Sequence, residues 1–541
     1  RAQRTALRRW PDAGRRLLSG PDPAAARGWP EEFAPVDATA GLGWPDLAAG
    51  RITLLGLTRD LGNPPDWQQA DAPLLWRFHL HYWDWTWGLA GEEDWVAARA
   101  MFARLWRSWQ EASPFGRGDA WLPYPAALRA WSWCGLYGEM VAGTEVDETF
   151  VAELAAHTGF LRRHLESDVG GNHLIKGLKA VIGLAVFFGD DQLLGQALRR
   201  LARQLPVQVL SDGGHFERAP AYHCQVLADL IDIAGLLHAA AIWPPPEITS
   251  AIRRMRRWLG TVLASDGTVP LLNDGYPVPA ALLAVLAPEP RRDQALVLLA
   301  DTGLVSARIG GWQLLADIGA PCPDELPAHA HADTLGCILH ADGAPLLADT
   351  GTSTYAPGEV RDYERSTAAH STVEIDGSNS TEVWGGFRAG RRARVHGYTA
   401  RSAAKVVTFG AAHDGFRRLP GRPVHHRQWT LTADEFRVED AVLGTGRHSA
   451  AVRWHLPPGA TVRLEGVGVI VTTAAGAYRV RFSSPSPFTL SVENGQVAEG
   501  FRRTVAAPVL TCRLDAALPV RVTTSWSRAP ECSETTARES S

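Results

Sequence analysis

Proton transfer at carbon or oxygen needs imidazole, phenol, amide and carboxylate groups held together, and this chain gathers such groups in three short segments. In GGNHLIKG, Asn172 and His173 follow two glycines and open an apolar helix. A helix N-terminus offers free N–H groups and the positive end of a dipole, which suits a bound carboxylate. Asn172 is equally well read as an ordinary N-cap, and His173 as structural. In DGGHFERAPAYHCQVL, the residues His215, Glu217, Arg218, Tyr222 and His223 fall within nine positions of a Gly-rich loop running into a helix. That density exceeds what capping needs, although a buried polar network would draw on the same residue types. In ELPAHAHADTLGCILHADGAPLLADTGTSTY, His329 and His331 stand two residues apart, so an extended chain puts them on one side. Asp349 ends the apolar run APLLAD, and His370 follows in RSTAAHSTVEIDG. Two imidazoles and a carboxylate make a three-ligand zinc set with one position open, and a histidine network without metal is the alternative.

A fourth cluster, EVWGGFRAGRRARV, carries Arg388, Arg391, Arg392 and Arg394 close to Trp384 and Phe387. Guanidinium forks grip carboxylate or sulfate in pairs, but a solvated loop with an aromatic anchor has the same composition. The four tryptophans of WRFHLHYWDWTWGLA are suited to stacking on sugar rings and, more simply, to packing helices.

These segments must be positioned by larger elements, and the period of the apolar residues says which. From about residue 70 to 300 they recur at helical spacing, as in Trp95, Ala98, Phe102, Leu105 and Trp109, or Leu194, Ala197, Leu198, Leu201 and Leu205. Further helices are predicted near 124–142, 147–166, 172–188, 220–242 and 247–264, joined by short breaks. Such a series packs as helical hairpins in a solenoid or a closed toroid, and the absence of a fixed repeat favours the toroid. Near residue 303 the period changes to two. VSARIGGWQLLADIG reads as a hairpin turning at Gly310 and Gly311, and QWTLTADEFRVED as another at Ala433 and Asp434. Tyr478, Val480 and Phe482 alternate with Arg479 and Arg481 as on a half-buried strand. The organisation is therefore multidomain α + β: residues 1–60 wrap or cap, 61–302 form an N-terminal α/α toroid or incomplete barrel, 303–525 form a C-terminal antiparallel β-sandwich, and 526–541 are a disordered polar tail.

Composition sets bounds. The 541 residues exceed what one core usually serves, and 45% hydrophobic with 21% charged residues is ordinary for globular domains. A formal charge of −4 gives no broad basic surface of the kind nucleic acid selects, so an anionic partner must be met locally. The six cysteines lack CxxC spacing, which argues for free thiols in cores over a zinc knuckle or disulfide scaffold. No apolar run spans a bilayer. The start RAQRTALRRW lacks an initiator Met, and the expected location is periplasmic or extracellular where an export signal has been removed, and otherwise cytoplasmic. Oligomeric state is not legible.

Taken together and in order, the segments LHYWDWTW, GDAWLPYPAALRAWSW, GGNHLIKG, DGGHFERAPAYH, LLNDGYP, HAHADTLGCILHADGAPLLADTGTSTY and RSTAAHSTVEIDG resemble the heparinase II/III family of polysaccharide lyases, over most of residues 75–395. The resemblance implies an α/α toroid, a β-sandwich, and an active site in the cleft between them. It further implies β-elimination on a uronic-acid-containing acidic polysaccharide, in which the sugar carboxylate must be neutralised before its C5 proton becomes acidic. By the same resemblance Asn172, with His173 as competitor, is expected to neutralise the carboxylate. Tyr222 is expected to protonate the leaving oxygen and, for some substrates, to act as base, with Arg218 or a histidine supplying the positive charge a phenolate needs. His329 is expected as base or base partner, Glu217 to orient Tyr222 or hold a sugar hydroxyl, and Trp384, Arg388 and Arg218 to contact the chain. His331, Asp349 and His370 match the family's zinc ligands, with a site-organising role for the ion. Two rival readings stand beside this one: a glycoside hydrolase using carboxylates such as Glu217 and Asp274, and a polysaccharide-binding protein without turnover.

Overall fold

Apolar steps of three and four build the first half. In the computed structural model, which describes residues 18, 20–36, 44–289, 294–465 and 468–529, helices span Leu74–Leu80, Trp95–Ala112, Pro123–Leu136, Asp147–Leu161, Gly171–Phe188, Asp191–Gln208, Pro220–Ala239, Pro246–Val262 and Ala280–Leu286. In Pro246–Val262, Ile248, Ala251, Ile252, Met255, Leu259 and Val262 are buried while Arg253 and Arg257 face out, the stripe of a helix packed on one side. Trp95 departs from its predicted stripe: Ala98, Phe102, Leu105 and Trp109 are buried, but Trp95 opens the helix beyond the packed face and is exposed. Trp76, Trp83, Trp85 and Trp87 are all buried, so they serve packing.

The helix Gly171–Phe188 is apolar nearly all round and forms the centre of this half, packing on Pro123–Leu136, Asp191–Gln208 and Pro220–Ala239. Its composition would suit a membrane, yet 89% of it is buried inside the protein. The helices form an α/α toroid. The described part of the N-terminal segment is tied to helix Gly171–Phe188, where Arg27 N donates to Phe187 O at 2.8 Å and the Trp29 indole to Gly183 O at 2.8 Å. The rest of the predicted wrap, residues 1–17, 19 and 37–43, lies outside the described residues.

Alternation then takes over. A five-stranded antiparallel meander runs through Leu296–Leu299, Leu304–Ile309, Trp312–Asp317, Cys337–Ala341 and Ala344–Leu347. Ile309 pairs with Trp312 across the predicted Gly310–Gly311 turn, where both glycines have positive φ. An eight-stranded sheet has Val395–Ala403 at one edge and Thr461–Glu465 at the other, with Val520–Arg528 joining its two halves between Glu435–Leu443 and Gly476–Ser483. A four-stranded sheet of Thr489–Gly500, Arg503–Ala517, Arg447–His455 and Val373–Ile375 packs against it around Trp429, Trp454 and Trp526. This is the β-sandwich. Strand begins at Leu296, ahead of residue 303, and runs to Arg528, past 525; residues 530–541 of the predicted tail lie outside the described residues.

A buried charge network locks the toroid where the site is built. Lys176 Nζ and Lys179 Nζ lie 2.7 and 2.9 Å from Asp229 Oδ1, and Lys179 Nζ lies 2.5 Å from Asp232. Asn172 is one turn above Lys176 on its helix, and Tyr222 two turns above Asp229 on the other. Burial would raise the Asp229 carboxyl, but the two ammonium groups hold it below its ordinary range. Asp229→Ala takes a shared counter-ion from two buried ammonium groups and is expected to cost about 3–5 kcal/mol, read as a lower urea midpoint. An unchanged midpoint would show that the network does not brace the helices.

Candidate active site

The first turn of helix Gly171–Phe188 closes on a carboxylate from the turn that precedes helix Pro220–Ala239. Gly171 has φ +52, and a Cβ placed there would lie 2.0 Å from Glu217 Oε1, so only glycine lets the helix start this close to Glu217. Asn172 N then donates to Glu217 Oε1 at 2.8 Å, and Asn172 Nδ2 lies 3.1 and 2.9 Å from its two oxygens. Glu217 comes from the turn before helix Pro220–Ala239, and its other neighbour is His329, whose Nε2 is 3.2 Å from Glu217 Oε2. Glu217 thus holds Asn172 and His329, where it was expected to orient Tyr222 or hold a sugar hydroxyl.

The second ring nitrogen of His329 faces another carboxylate, Asp274, with Nδ1 to Oδ2 at 2.9 Å. Asp274 is the most heavily used group in the site. His331 Nε2 lies 3.0 Å from Oδ1, and the Arg361 guanidinium straddles the carboxylate at 2.5 and 3.0 Å. Burial would raise the Asp274 carboxyl, but the charge of Arg361 and the hydrogen bonds from His329 and His331 hold it well below the usual carboxylate range. Burial would likewise lower His329, yet its hydrogen bonds to Asp274 and Glu217 raise it to about 9. Against burial, the hydrogen bond from His329 and the charge of His215 and His329 hold Glu217 at about 2. His329 is therefore a doubly protonated imidazolium between two carboxylates, because a neutral ring would turn a lone pair toward one of them. The segment carrying it is a loop, not the extended strand that the His329 and His331 spacing suggested, and the two rings meet through opposite oxygens of Asp274.

Tyr222, in the first turn of its helix, lays its ring 3.9 Å from that of His329 at 34°. Its hydroxyl is 2.8 Å from that of Tyr355. Burial first, then the neighbouring Tyr355, Tyr276 and Asp274, push the Tyr222 phenol well above its ordinary range, so it rests protonated. Asn172, Tyr222 and His329 are thereby brought together from three separate parts of the chain. His173 points elsewhere: its Nδ1 lies 2.8 Å from Glu166 and its ring 4.2 Å from that of Tyr124.

Other expected residues divide between the site and its margins. The hairpin Val383–Trp384 and Arg388–Ala389 borders the cleft, since Phe387 packs 5.3 Å from Tyr355 and Arg361 donates to Gly386 O at 2.9 Å. Trp384 and Arg388 are exposed on it. Arg218 does not reach Tyr222: with φ +62 its side chain turns outward, and Nη1 donates to Ala320 O at 2.9 Å. The charge beside Tyr222 comes from His329 instead.

Among the described residues no three His, Cys, Asp or Glu side chains are gathered as a formed metal centre. The expected ligands are nonetheless neighbours. His370 Nδ1 lies 2.9 Å from Asp349, and the rings of His331 and His370 are 5.3 Å apart. Each imidazole keeps one buried nitrogen without a partner, His331 Nδ1 and His370 Nε2. Asp333 and Asp317 crowd in, raised by burial and, for Asp317, by Asp333. Orphaned imidazole nitrogens beside crowded carboxylates fit a divalent cation such as zinc. Sequence alone points to Asp274 only as a hydrolase carboxylate, and to Arg361 and Tyr355 not at all. Asp274 and Tyr355 sit in the LLNDGYP and TGTSTY segments, whereas Arg361 follows no motif.

Residues 65–287 match the family model described as Heparinase II/III N-terminus, and residues 291–527 that described as Heparinase II/III-like, C-terminal. FtsZ-localized protein C of Caulobacter vibrioides is 27% identical over 86% of this chain and 84% of its own length. A heparin-sulfate lyase of Bacteroides stercoris is 20% identical over 81% of this chain and 72% of its own. The crystal structure of heparinase III superposes with a TM-score of 0.77 at 16% identity, covering 92% of this chain and 86% of that one, a likeness of fold.

The Glu217 carboxyl, ordinarily near 4.5 and held at about 2, gives a pH test. A depressed carboxyl stabilises the fold fully above its unfolded value and loses that contribution as pH falls through the folded one. The stability gap between wild type and Glu217→Gln is expected to be on the order of 3 kcal/mol near pH 6 and to close as pH falls from 4.5 toward 2. A gap independent of pH would show that the Glu217 charge does not hold His329.

Proposed function

The chain belongs to the heparinase II/III-like family, and from that membership we propose that it is a polysaccharide lyase cleaving a uronic-acid-containing polysaccharide by β-elimination. The observation that carries the reading is the convergence of Asn172 and His329 on Glu217 with the Tyr222 ring laid against that of His329. A proton leaves C5 of a uronate only if the charge passing onto its carboxylate is tolerated, and pre-set donors and charge in a dry site provide that tolerance. The imidazolium of His329 and the amide of Asn172 supply it. His329 serves as a fixed charge, since its nitrogens are committed to two carboxylates. Tyr222 carries the proton. As the C4–O bond breaks, the phenol gives its own proton to the leaving oxygen and takes the C5 proton in its place, with the imidazolium against it steadying the passing charge, so Tyr222 ends protonated as it began. The product carries a C4–C5 double bond.

The hydrolase alternative needs one carboxyl to rest protonated as an acid. Glu217 and Asp274 are instead both held low, on opposite sides of one imidazole. The similarity to FtsZ-localized protein C, a relative named for its location rather than for a reaction, favours a second reading in which the chain binds polysaccharide without turnover. Product formation separates the two.

We further infer that His331, Asp349 and His370 hold zinc, which would neutralise the crowded carboxylates and steady the loop carrying His329; elimination needs no activated water. Metal analysis of the purified protein is expected to find about one zinc per chain, and His370→Ala to lose it with a lower melting temperature. A metal-free wild type with the same melting temperature would refute this.

Incubation with heparan sulfate, chondroitin, hyaluronan, alginate and polyglucuronate is expected to give ultraviolet-absorbing product from at least one. On that substrate Tyr222→Phe should lower the rate about a thousandfold while circular dichroism and melting stay unchanged. Full activity in the variant would sink the role given to Tyr222.

A further inference from the structure

Next to the cleft lies a groove of about 1050 Å³, at the seam between the toroid and the sandwich, that the reaction does not use. Arg218, Arg391, Arg392, Arg394, Arg417 and Arg418 line it, against the carboxylates of Asp301, Asp324 and Asp414. A surplus of guanidinium is thus concentrated in one place on a chain whose formal charge is −4. Several of these groups are fixed. Arg391 pairs with both oxygens of Glu382 at 3.0 and 2.6 Å, Arg392 lies 2.9 Å from Asp324, and Arg218 is tied to Ala320 O. Arg394 and Arg417 are exposed and their guanidinium groups have no ion-pair partner among the described residues, although the backbone N of Arg394 donates to Asp414 Oδ1 at 2.9 Å. Between them the edge strand Val395–Ala403 adds His396 and Tyr398, the latter 38% exposed and placed to lie against a sugar face.

We propose that this groove is a second, non-catalytic binding site for an anionic polysaccharide chain. The proposal rests on the reading of the protein as acting on such chains. Its volume is at the upper end of what a single small ligand occupies, and guanidinium forks suit repeated carboxylate or sulfate groups. Position links it to the cleft at two points. Arg218 is the residue after Glu217, and Gly390–Arg394 continues from the hairpin whose Phe387 packs on Tyr355. A chain leaving the cleft past that hairpin meets the arginines. Engagement at both places raises the affinity for long chains through the high local concentration of the tethered second segment.

The test is binding of long polyglucuronate to the full-length protein, made with Tyr222→Phe so that no turnover intervenes. The double variant Arg394→Glu/Arg417→Glu in that background is expected to weaken binding about tenfold, Arg394→Gln/Arg417→Gln to weaken it less, and added salt to diminish the difference. Unchanged melting temperatures exclude misfolding. Affinities of the charge-reversed variant within twofold of its parent would overturn the groove, as would equally tight, arginine-dependent binding of polyglutamate, which would make it a surface for acidic protein. If groove-dependent binding is seen but wild type yields no unsaturated product, the groove stands and the lyase reading falls. Product formation with groove-independent binding means the lyase reading stands and the groove falls.

Discussion

The site depends on one imidazolium clamped between two buried carboxylates. Glu217 and Asp274 belong to the helical half, whereas His329 and Arg361 come from the sheet half. The charges therefore balance only when the two halves are closed on each other. Taking a single ion into a protein interior costs several kcal/mol, so each half alone would carry an uncompensated buried charge. The seam between the domains is then not a passive contact but the place where the cluster becomes neutral enough to exist. Tyr222 lies directly on that imidazole, so the same closure sets the phenol's surroundings.

Two further charge networks stand on either side of this cluster and keep its members in register. Lys176, Lys179, Asp229 and Asp232 tie the helices that deliver Asn172 and Tyr222. On the sheet side, Arg427 pairs with Asp440 and donates to the carbonyls of Leu335 and Ser371, fixing strands that flank the loop of His329 and the turn after His370. Buried polar networks of this kind add little net stability, but they discriminate against alternative packings. The side chains of the candidate site hang from a frame that tolerates few other arrangements.

Much of this was legible in the residues themselves. Period fixed the order of helices and strands because each element buries one face, and the two-glycine hairpin at Gly310 and Gly311 is local chemistry. The clusters holding Asn172, Tyr222 and His329 stood out because polar groups gathered in apolar surroundings demand a reason, and the resemblance to the heparinase II/III family singled out those three. What could not be read was partnership. Glu217 serves Asn172 and His329 rather than Tyr222, Arg218 turns away, and His173 pairs with Glu166, all of which depend on backbone angles and on residues distant in the chain. Arg361 is the clearest case. It follows no motif, lies 87 positions from Asp274, and yet its guanidinium straddles that carboxylate.

The left-handed backbone at Arg218 divides two neighbours by direction: Glu217 goes inward to Asn172 and His329, and Arg218 outward to the arginine-lined groove. A side chain in this conformation costs of order 1 kcal/mol unless its surroundings enforce it. Replacement by glycine would relax the bend and erase a charge in one step, and a β-branched residue would resist the bend altogether. A change to the groove and a change to the cleft therefore meet at the same peptide unit. Neither site can drift far without dragging the other along.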